Sequence, residues 1–425
     1  DAKVFFFNLR KGVKFHDGTP FNAEAAVFNI KRQMEPNKTD DMPYADKIYG
    51  NVENIEIIND YKIKITLSKP DVTFLNSLCT IPGAPFVSPT AYQENPEGFM
   101  KNPVGTGPYK FVKWLPGQYV VLERFEDYWG RKAEVPQVIY KVIKNSAVRT
   151  SELIAGSIDI LNSVDINHLE RLQQAGMNVG SIPGATLNYI SLYTDKEPFN
   201  NKKVRQAIFM GLNREAIVKG LYGDHAIVAK GILPPIFLGY FDDLEPLPYD
   251  PKKAKELLKE AGYEDGLSFK LVAYNVTKNY NPAGENLALA IQNELKKINV
   301  DVDVVVKPWN EFVSDLFSEN PEGHAVQIGW GVTSGDPSSF VELLKSKNTG
   351  TGLNFAEYKN ERLDELAEKA QTIGDIEERA QVYREIQEII IEDVPWIFIS
   401  HSIDYYATRP NIKGYRGGGN AGKTN

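Results

Sequence analysis

The stretch Asn102-Pro103-Val104-Gly105-Thr106-Gly107-Pro108-Tyr109-Lys110-Phe111 sets two glycines and two prolines within six positions, Pro103 to Pro108. It then turns at once into a segment, Tyr109 to Trp114, that reads as a strand. Proline lacks an amide proton, so no helix runs through such a stretch. Glycine lacks a Cβ, which leaves Gly105 and Gly107 free to take positive φ or to let another backbone approach closely. So stiff a turn predicts that the chain leaves one packed body here and enters another at a fixed angle. The length of 425 residues points the same way, because one hydrophobic core stops growing well below that size and two or three domains result.

Charge narrows the function classes. A formal net charge of −8 argues against nucleic acid as a partner, which calls for a basic face. It also favours solubility over adhesion to an anionic membrane. No run of about 18 apolar residues is present to span a bilayer. The five histidines, at 16, 168, 225, 324 and 401, include no pair at metal-ligand spacing, so neither a metal nor a cofactor is expected. The single cysteine, Cys79, rules out an intrachain disulfide and lies in the mostly apolar stretch Leu75 to Ile81, which predicts a buried, inert thiol. The 21 Tyr and 21 Phe would supply stacking faces to a ligand site, although for any one of them core packing is the default reading.

Periodicity gives the elements. Residues 4–9 read as a strand with no lead-in, which predicts further sequence upstream. Asn22 caps a helix from Ala23 to Met34, and Val52–Ile58 with Tyr61–Leu67 alternate as a hairpin. This first body, residues 1–103, reads as a small α+β domain. Beyond the Gly/Pro stretch, strands are expected at 109–114, 119–124, 137–143, 158–161 and 189–194. A βαβ-like unit follows from strand Phe269–Ala273, helix Gly284–Ile298 and strand Val300–Val306, then a buried strand at 325–329. Amphipathic helices at 361–371 and 375–392 precede a last strand, 395–400, and a Gly-rich tail, Gly417–Asn420. Arg205 and Arg214 read as helix decoration or caps.

Enzyme motifs are missing: there is no GxSxG, GxxxxGK[ST], HExxH or GxGxxG. Two carboxylates can always be paired by folding, but nothing positive supports it. The stretch Gly329-Trp330-Gly331-Val332-Thr333-Ser334-Gly335-Asp336-Pro337, between a buried strand and a helix, has more to offer a ligand. It exposes backbone groups, an indole that can wall a pocket and a carboxylate that can pair with an ammonium. On residue types alone the favoured reading is the plainer one, in which Asp336 caps the turn before the following helix, with Pro337 at its first position. Arg124 could meet an anion or a structural carboxylate. His401 and Tyr405-Tyr406 follow the last strand, where a crossing between bodies would form a cleft wall or interdomain packing.

Several segments together resemble family 5 extracellular solute-binding proteins, the dipeptide-, oligopeptide- and nickel-binding receptors of ABC importers. They are Phe7–Phe21 (Phe-Asn-Leu-Arg-Lys-Gly-Val-Lys-Phe-His-Asp-Gly-Thr-Pro-Phe), Val104–Tyr109, Leu122-Glu123-Arg124 with Tyr128-Trp129-Gly130, Pro198-Phe199, Val204–Ile208, Asp250–Ala254 and Gly335-Asp336-Pro337. The resemblance implies an α/β, bilobal periplasmic-binding-protein-like fold with mixed sheets, a hinge and an extra small α+β domain at 1–103. The first ligand-binding lobe would comprise 104–192 plus 400–425, and the second 193–399, with crossings at Ser191–Lys196 and Ser400–Tyr406. Ligand would be enclosed by hinge closure. It further implies a monomeric, extracytoplasmic receptor, periplasmic or lipid-anchored, that hands a small solute to permease subunits. By that likeness Asp336 takes a peptide ammonium and Gly331 completes that end. Trp330, Ser334, His401, Tyr406 and Arg124 are the further candidate ligand contacts. A non-peptide solute, such as a nickel chelate, an oligosaccharide or an opine-like compound, is the alternative within the same fold, and a hydrolase the alternative outside it.

Overall fold

The structure, a computed structural model, describes residues 2–34, 48–80, 85–332, 334–350 and 352–417. Thr333, Ile81 and positions 418–420 of the tail lie outside the described residues. The chain divides into two compact units, Asp1–Asn145 and Ser146–Asn425. The division therefore falls at 145/146, beyond the Gly/Pro stretch, which lies wholly inside the first unit.

In the first unit, β1 (Val4–Asn8), β2 (Val52–Asn59) and β3 (Lys62–Leu67) form an antiparallel sheet in the order β1-β3-β2. The helix Ala23–Met34 starts where Asn22 Oδ1 accepts from Ala25 N at 3.0 Å, and Glu24 sits in its first turn, where the helix dipole favours an acid. Its apolar residues Ala23, Ala26, Val27 and Ile30 pack with Ile63, Ile65 and Leu67 from the sheet. A second antiparallel sheet follows from β4 (Tyr109–Leu115), β5 (Tyr119–Arg124) and β6 (Gln137–Lys141).

The Gly/Pro stretch is stiff for a reason other than positive φ. Neither Gly105 nor Gly107 is among the glycines in the left-handed region. Instead His16 straps the turn. Its backbone N–H donates to Gly105 O at 2.9 Å, its Nδ1 accepts from Gly105 N at 3.3 Å, and its Nε2 lies 3.0 Å from Gly107 O. That set requires the neutral tautomer with the proton on Nε2, and burial does hold the imidazole below its usual pKa. Cys79, expected buried, is exposed: it stands at the C-terminal cap of the short helix Phe74–Leu78, past Phe74 and Leu78, which pack on the core.

Among its described residues the second unit holds eight strands: β7 (Ile160–Asn162), β8 (Asn178–Pro183), β9 (Thr186–Leu192), β10 (Ala226–Val228), β11 (Leu267–Tyr274), β12 (Val300–Lys307), β13 (Ala325–Gly331) and β14 (Trp396–Thr408). The main path runs β10-β14-β9-β13-β11-β12, with β7 and β8 also on β14. β11 is parallel to β12 and β13, and the helix Asn286–Leu295 crosses between β11 and β12 as the βαβ pattern requires. The other pairings are antiparallel, so the sheet is mixed. Every residue of β9 is buried, and the Tyr189 ring stacks on Trp396 at 4.1 Å between centroids. Arg205 and Arg214 are not decoration but core groups. Arg205 donates to Asp393 O and Phe199 O, and Arg214 to Ala229 O and Phe398 O. Burial pulls the Arg214 guanidinium down to about 10.

One two-stranded ribbon belongs to both parts of this sheet. β8 and β9 follow one another along β14 in the antiparallel sense: Asn178–Pro183 against Ile403–Thr408, then Asn188–Ser191 against Trp396–Ser400. Between them lies only Gly184-Ala185, and Gly184 N donates to Ser402 O at 2.9 Å. The partner of β14 therefore passes from β8 to β9 at 184–185, and β9 lies inside the main path of the sheet. On β14 the change of partner lies between Ser400 and Ile403.

Candidate functional site

Strand alternation decides what the ribbon presents. Ser402, Asp404 and Tyr406 share one face of β14, and the regular register from Ile403 to Thr408 keeps them there. Opposite them lie Gly180, Ile182 and Gly184. Two of these three positions have no side chain, and the room is used. The Tyr406 ring occupies the space a Cβ on Gly180 would need, and a Cβ on Gly184 would collide with Ser402 Oγ and come within 3.0 Å of Asp404 Oδ1. From the end of β9, Thr186 Oγ1 donates to Ser402 Oγ at 2.8 Å, and Ser402 Oγ donates onward to Asp404 Oδ1 at 3.1 Å. Gly331, at the end of β13, pairs with Thr186, and Val332 N donates to Ala185 O at 3.2 Å. Thus Thr186, Gly331, Ser402 and Asp404 meet where the chain changes sheet.

Asp404 stands out electrostatically. It is half-buried, and among the described residues no lysine, arginine or histidine pairs with it. Burial raises its pKa, and the Ser402 hydrogen bond offsets only part of that.

The expected site residues fall into separate places. Gly331 and Tyr406 belong to the arrangement just described. Trp330 pairs with Leu187 in the register next to Gly331, so its indole lies on the other face, packed partly against the main core. His401 is fully buried on the face opposite Ser402. Its Nδ1 lies 3.1 Å from Thr186 O, its Nε2 has no partner among the described residues, and burial pushes it down to about 4, so it is neutral at pH 7. Arg124 belongs to the first unit, where Nε donates to Glu126 and Nη1 to the Ala133 and Glu134 carbonyls. Ser334 Oγ lies 2.5 Å from Ser339 Oγ and accepts from Asp336 N, so it shapes its own loop.

Asp336 is buried, with 3% of its side chain exposed, and Arg379 of the helix Ile376–Asp393 grips it from two nitrogens at 2.9 Å each. Its Oδ1 also accepts from Ser338 N at 3.0 Å, the capping role that residue types allow. Burial favours the neutral acid, but the Arg379 hydrogen bonds and charge outweigh it and hold the carboxyl below its usual range. Arg379 is itself tied down by Ala370 O and Tyr383 Oη. The carboxylate expected to await a ligand ammonium thus already holds a guanidinium.

Sequence reasoning missed Thr186, Gly184, Ser402, Asp404 and Arg379. For Ser402 and Asp404 a signal exists: Ser402, Asp404 and Tyr406 stand at period two, just beyond the end of the expected strand at 400. Arg379 carried no local signal, since it lies on one helix among many charged residues.

Among the described residues no group of three or more His, Cys, Asp or Glu could hold a metal ion. Comparison with known proteins gives a match of residues 1–352 to "Bacterial extracellular solute-binding proteins, family 5 Middle". Heme-binding protein A of Haemophilus influenzae is 33% identical over 98% of this chain and 79% of that protein. The dipeptide-binding protein of Escherichia coli K12 is 30% identical over 98% of this chain and 81% of that protein. The solved structure of the ABC transporter-associated periplasmic binding protein DppA from Helicobacter pylori, in complex with the peptide STSA, superposes with a TM-score of 0.81. It is 29% identical and covers 99% of this chain and 85% of that one.

Proposed function

Because the chain belongs to the bacterial extracellular solute-binding proteins of family 5, we propose that it captures a short peptide outside the cytoplasm and presents it to the membrane subunits of an ABC importer. The observation that carries this reading is the β8–β9/β14 ribbon, a single pair of antiparallel segments that belongs to two sheets at once. A ribbon of that kind is a hinge: small φ/ψ changes at Gly184-Ala185 and at Ser400–Ile403 swing one sheet against the other. The main sheet with its helices is then one lobe, and β7, β8 and the end of β14 belong to the other. Ligand seats beside the ribbon, against Thr186, Gly331, Ser402, Asp404 and Tyr406, with Trp330 on the adjoining edge. Asp336 acts at a distance, by fixing the loop after β13 through Arg379. Peptide as the cargo is supported by the dipeptide-binding relative and by the peptide-bound neighbour. The family consists of binding proteins, which supports a binding role over the hydrolase reading. Among the described residues no helix is long and apolar enough to cross a membrane. We infer that the receptor works as a monomer.

Native mass spectrometry of the protein as purified tests this. Added masses that fragment as short peptides are expected. A discrete non-peptide mass, such as a porphyrin or a metal chelate, would replace the peptide by another solute on the same fold.

A further inference from the structure

A contact at the back of the ribbon bears on how readily it bends. One edge of β14 is taken by β9 and β8 in turn; the other carries β10 opposite Ser400–Ser402 and β7 opposite Tyr406–Thr408. β10 lies on the main path of the sheet and β7 off it, so Ile403, Asp404 and Tyr405 stand between strands of different lobes. The side chains of His225 and Tyr405 bridge this interval. His225 Nδ1 lies 2.8 Å from Tyr405 Oη, and the two rings meet edge to face with 5.4 Å between centroids and 77° between planes. Each partner is rooted in its own lobe. His225 follows the helix Arg214–Tyr222 and its backbone N–H donates to Tyr222 O at 3.0 Å, while Tyr222 is buried and its hydroxyl donates to Asn281 Oδ1. Tyr405 pairs with Ser181 of β8, its carbonyl accepts from Val164 N at 2.9 Å, and its side chain packs against the cluster of Leu153, Leu161 and Leu169. Burial, and after it the charge of Asp224, raise the pKa of the Tyr405 hydroxyl, so it keeps its proton at neutral pH and can donate.

We propose that the His225–Tyr405 pair is a latch behind the hinge, which holds the two lobes open and lowers solute affinity without touching the solute. This assignment rests on the reading of the ribbon as the hinge of a solute receptor. Strand alternation sets Tyr405 on the face of β14 opposite Ser402, Asp404 and Tyr406, beside which solute seats. A rotation that brings the lobes together over one face of a hinge draws them apart over the other. The bond between His225 and Tyr405 is therefore stretched or broken as the lobes close, and its free energy counts against the closed form. A receptor whose closed form is thinly populated binds more weakly by that fraction, so weakening the latch raises affinity with every contact to the solute left in place. His225 and Tyr405 are positioning residues in this account: they act on the solute only through the angle of the ribbon.

The test compares wild type with Tyr405→Phe, which keeps the packed ring and removes the hydroxyl, with His225→Phe, which removes Nδ1, and with the double variant. Native mass spectrometry is run with an equimolar pool of X-Leu dipeptides, and small-angle X-ray scattering gives the radius of gyration with and without the pool. Each single variant is expected to hold the pool about twofold to tenfold more tightly than wild type, the range for one neutral hydrogen bond. The double variant should match the singles, because either change breaks the same bond. Without solute, Tyr405→Phe should have a smaller radius than wild type. A merely structural contact would give the opposite sign, weaker retention together with a lower melting temperature. Equal or weaker retention by a folded Tyr405→Phe overturns the latch. If wild type also contracts on binding, the hinge stands and only the latch has failed. If wild type holds the pool with an unchanged radius, the hinge reading fails and the latch with it. Should wild type retain none of the pool, the peptide reading fails on its own, and the solute-free radius decides: a smaller one in Tyr405→Phe upholds the latch and an equal one overturns it.

Discussion

Replacing Asp336 by Asn should unfold the second unit more easily rather than merely empty a binding site. The carboxylate accepts from Arg379 Nη1 and Nη2 at 2.9 Å and from Ser338 N at 3.0 Å, with 3% of its side chain and 9% of that of Arg379 exposed. Removing one member of a buried pair costs about 3–5 kcal/mol, chiefly because the other charge is left uncompensated. Here Arg379 keeps Ala370 O, Tyr383 Oη and the Tyr383 ring at 5.2 Å, which places the loss near the lower end, about 3 kcal/mol. Urea unfolding followed by tryptophan fluorescence should show a lower midpoint with an unchanged slope. The double variant Asp336→Leu with Arg379→Met should be more stable than either single change, because no lone charge remains. The sign of the pH effect agrees. The folded carboxyl lies below its ordinary 3.8, so the stabilisation is complete above that value and disappears as pH falls through the folded pKa. An Asp336→Asn protein with wild-type urea stability and no ligand binding would refute the reasoning and return Asp336 to the ligand.

Other perturbations follow the same logic. Asp404, whose folded pKa is raised by burial, destabilises the ligand-free protein once ionised; the penalty is absent below 3.8 and complete above its folded pKa, so Asp404→Asn should melt higher than wild type at pH 7 and equal to it near pH 3. His401 falls from 6.5 to about 4 on folding, so stability is lost as pH drops from 6.5 towards 4, by up to about 3 kcal/mol, and His401→Gln should flatten that part of the stability–pH profile whatever its absolute stability. Gly329→Ala would drive a Cβ into the Tyr280 ring and should cost about 1–3 kcal/mol by urea unfolding, with no change in stability counting against the packing described.

Local order was legible in the chain because it depends on neighbours in sequence. Asn22 before an alternating run gives a capped helix, Asn59-Asp60 between alternating segments gives the β2–β3 hairpin, and two β-rich runs around an amphipathic helix give the parallel β11–β12 pair. The family was legible too, through short segments spread over nearly the whole chain. What neighbours in sequence cannot state is which distant group answers a charge. Asp336 and Arg379 are separated by 43 positions and meet only when the helix Ile376–Asp393 packs beneath the loop. The Gly/Pro stretch owes its rigidity to His16, 89 to 91 positions away. The place of β9 is set in the same way: it reads as one strand in either body, and only its pairing with β13 on one side and β14 on the other assigns it. Charge makes the difference matter most. Sequence supplied a list of acids; tertiary packing gave Asp336 a guanidinium and, among the described residues, left Asp404 without one, because partner and solvent, not residue type, set what a carboxylate can do.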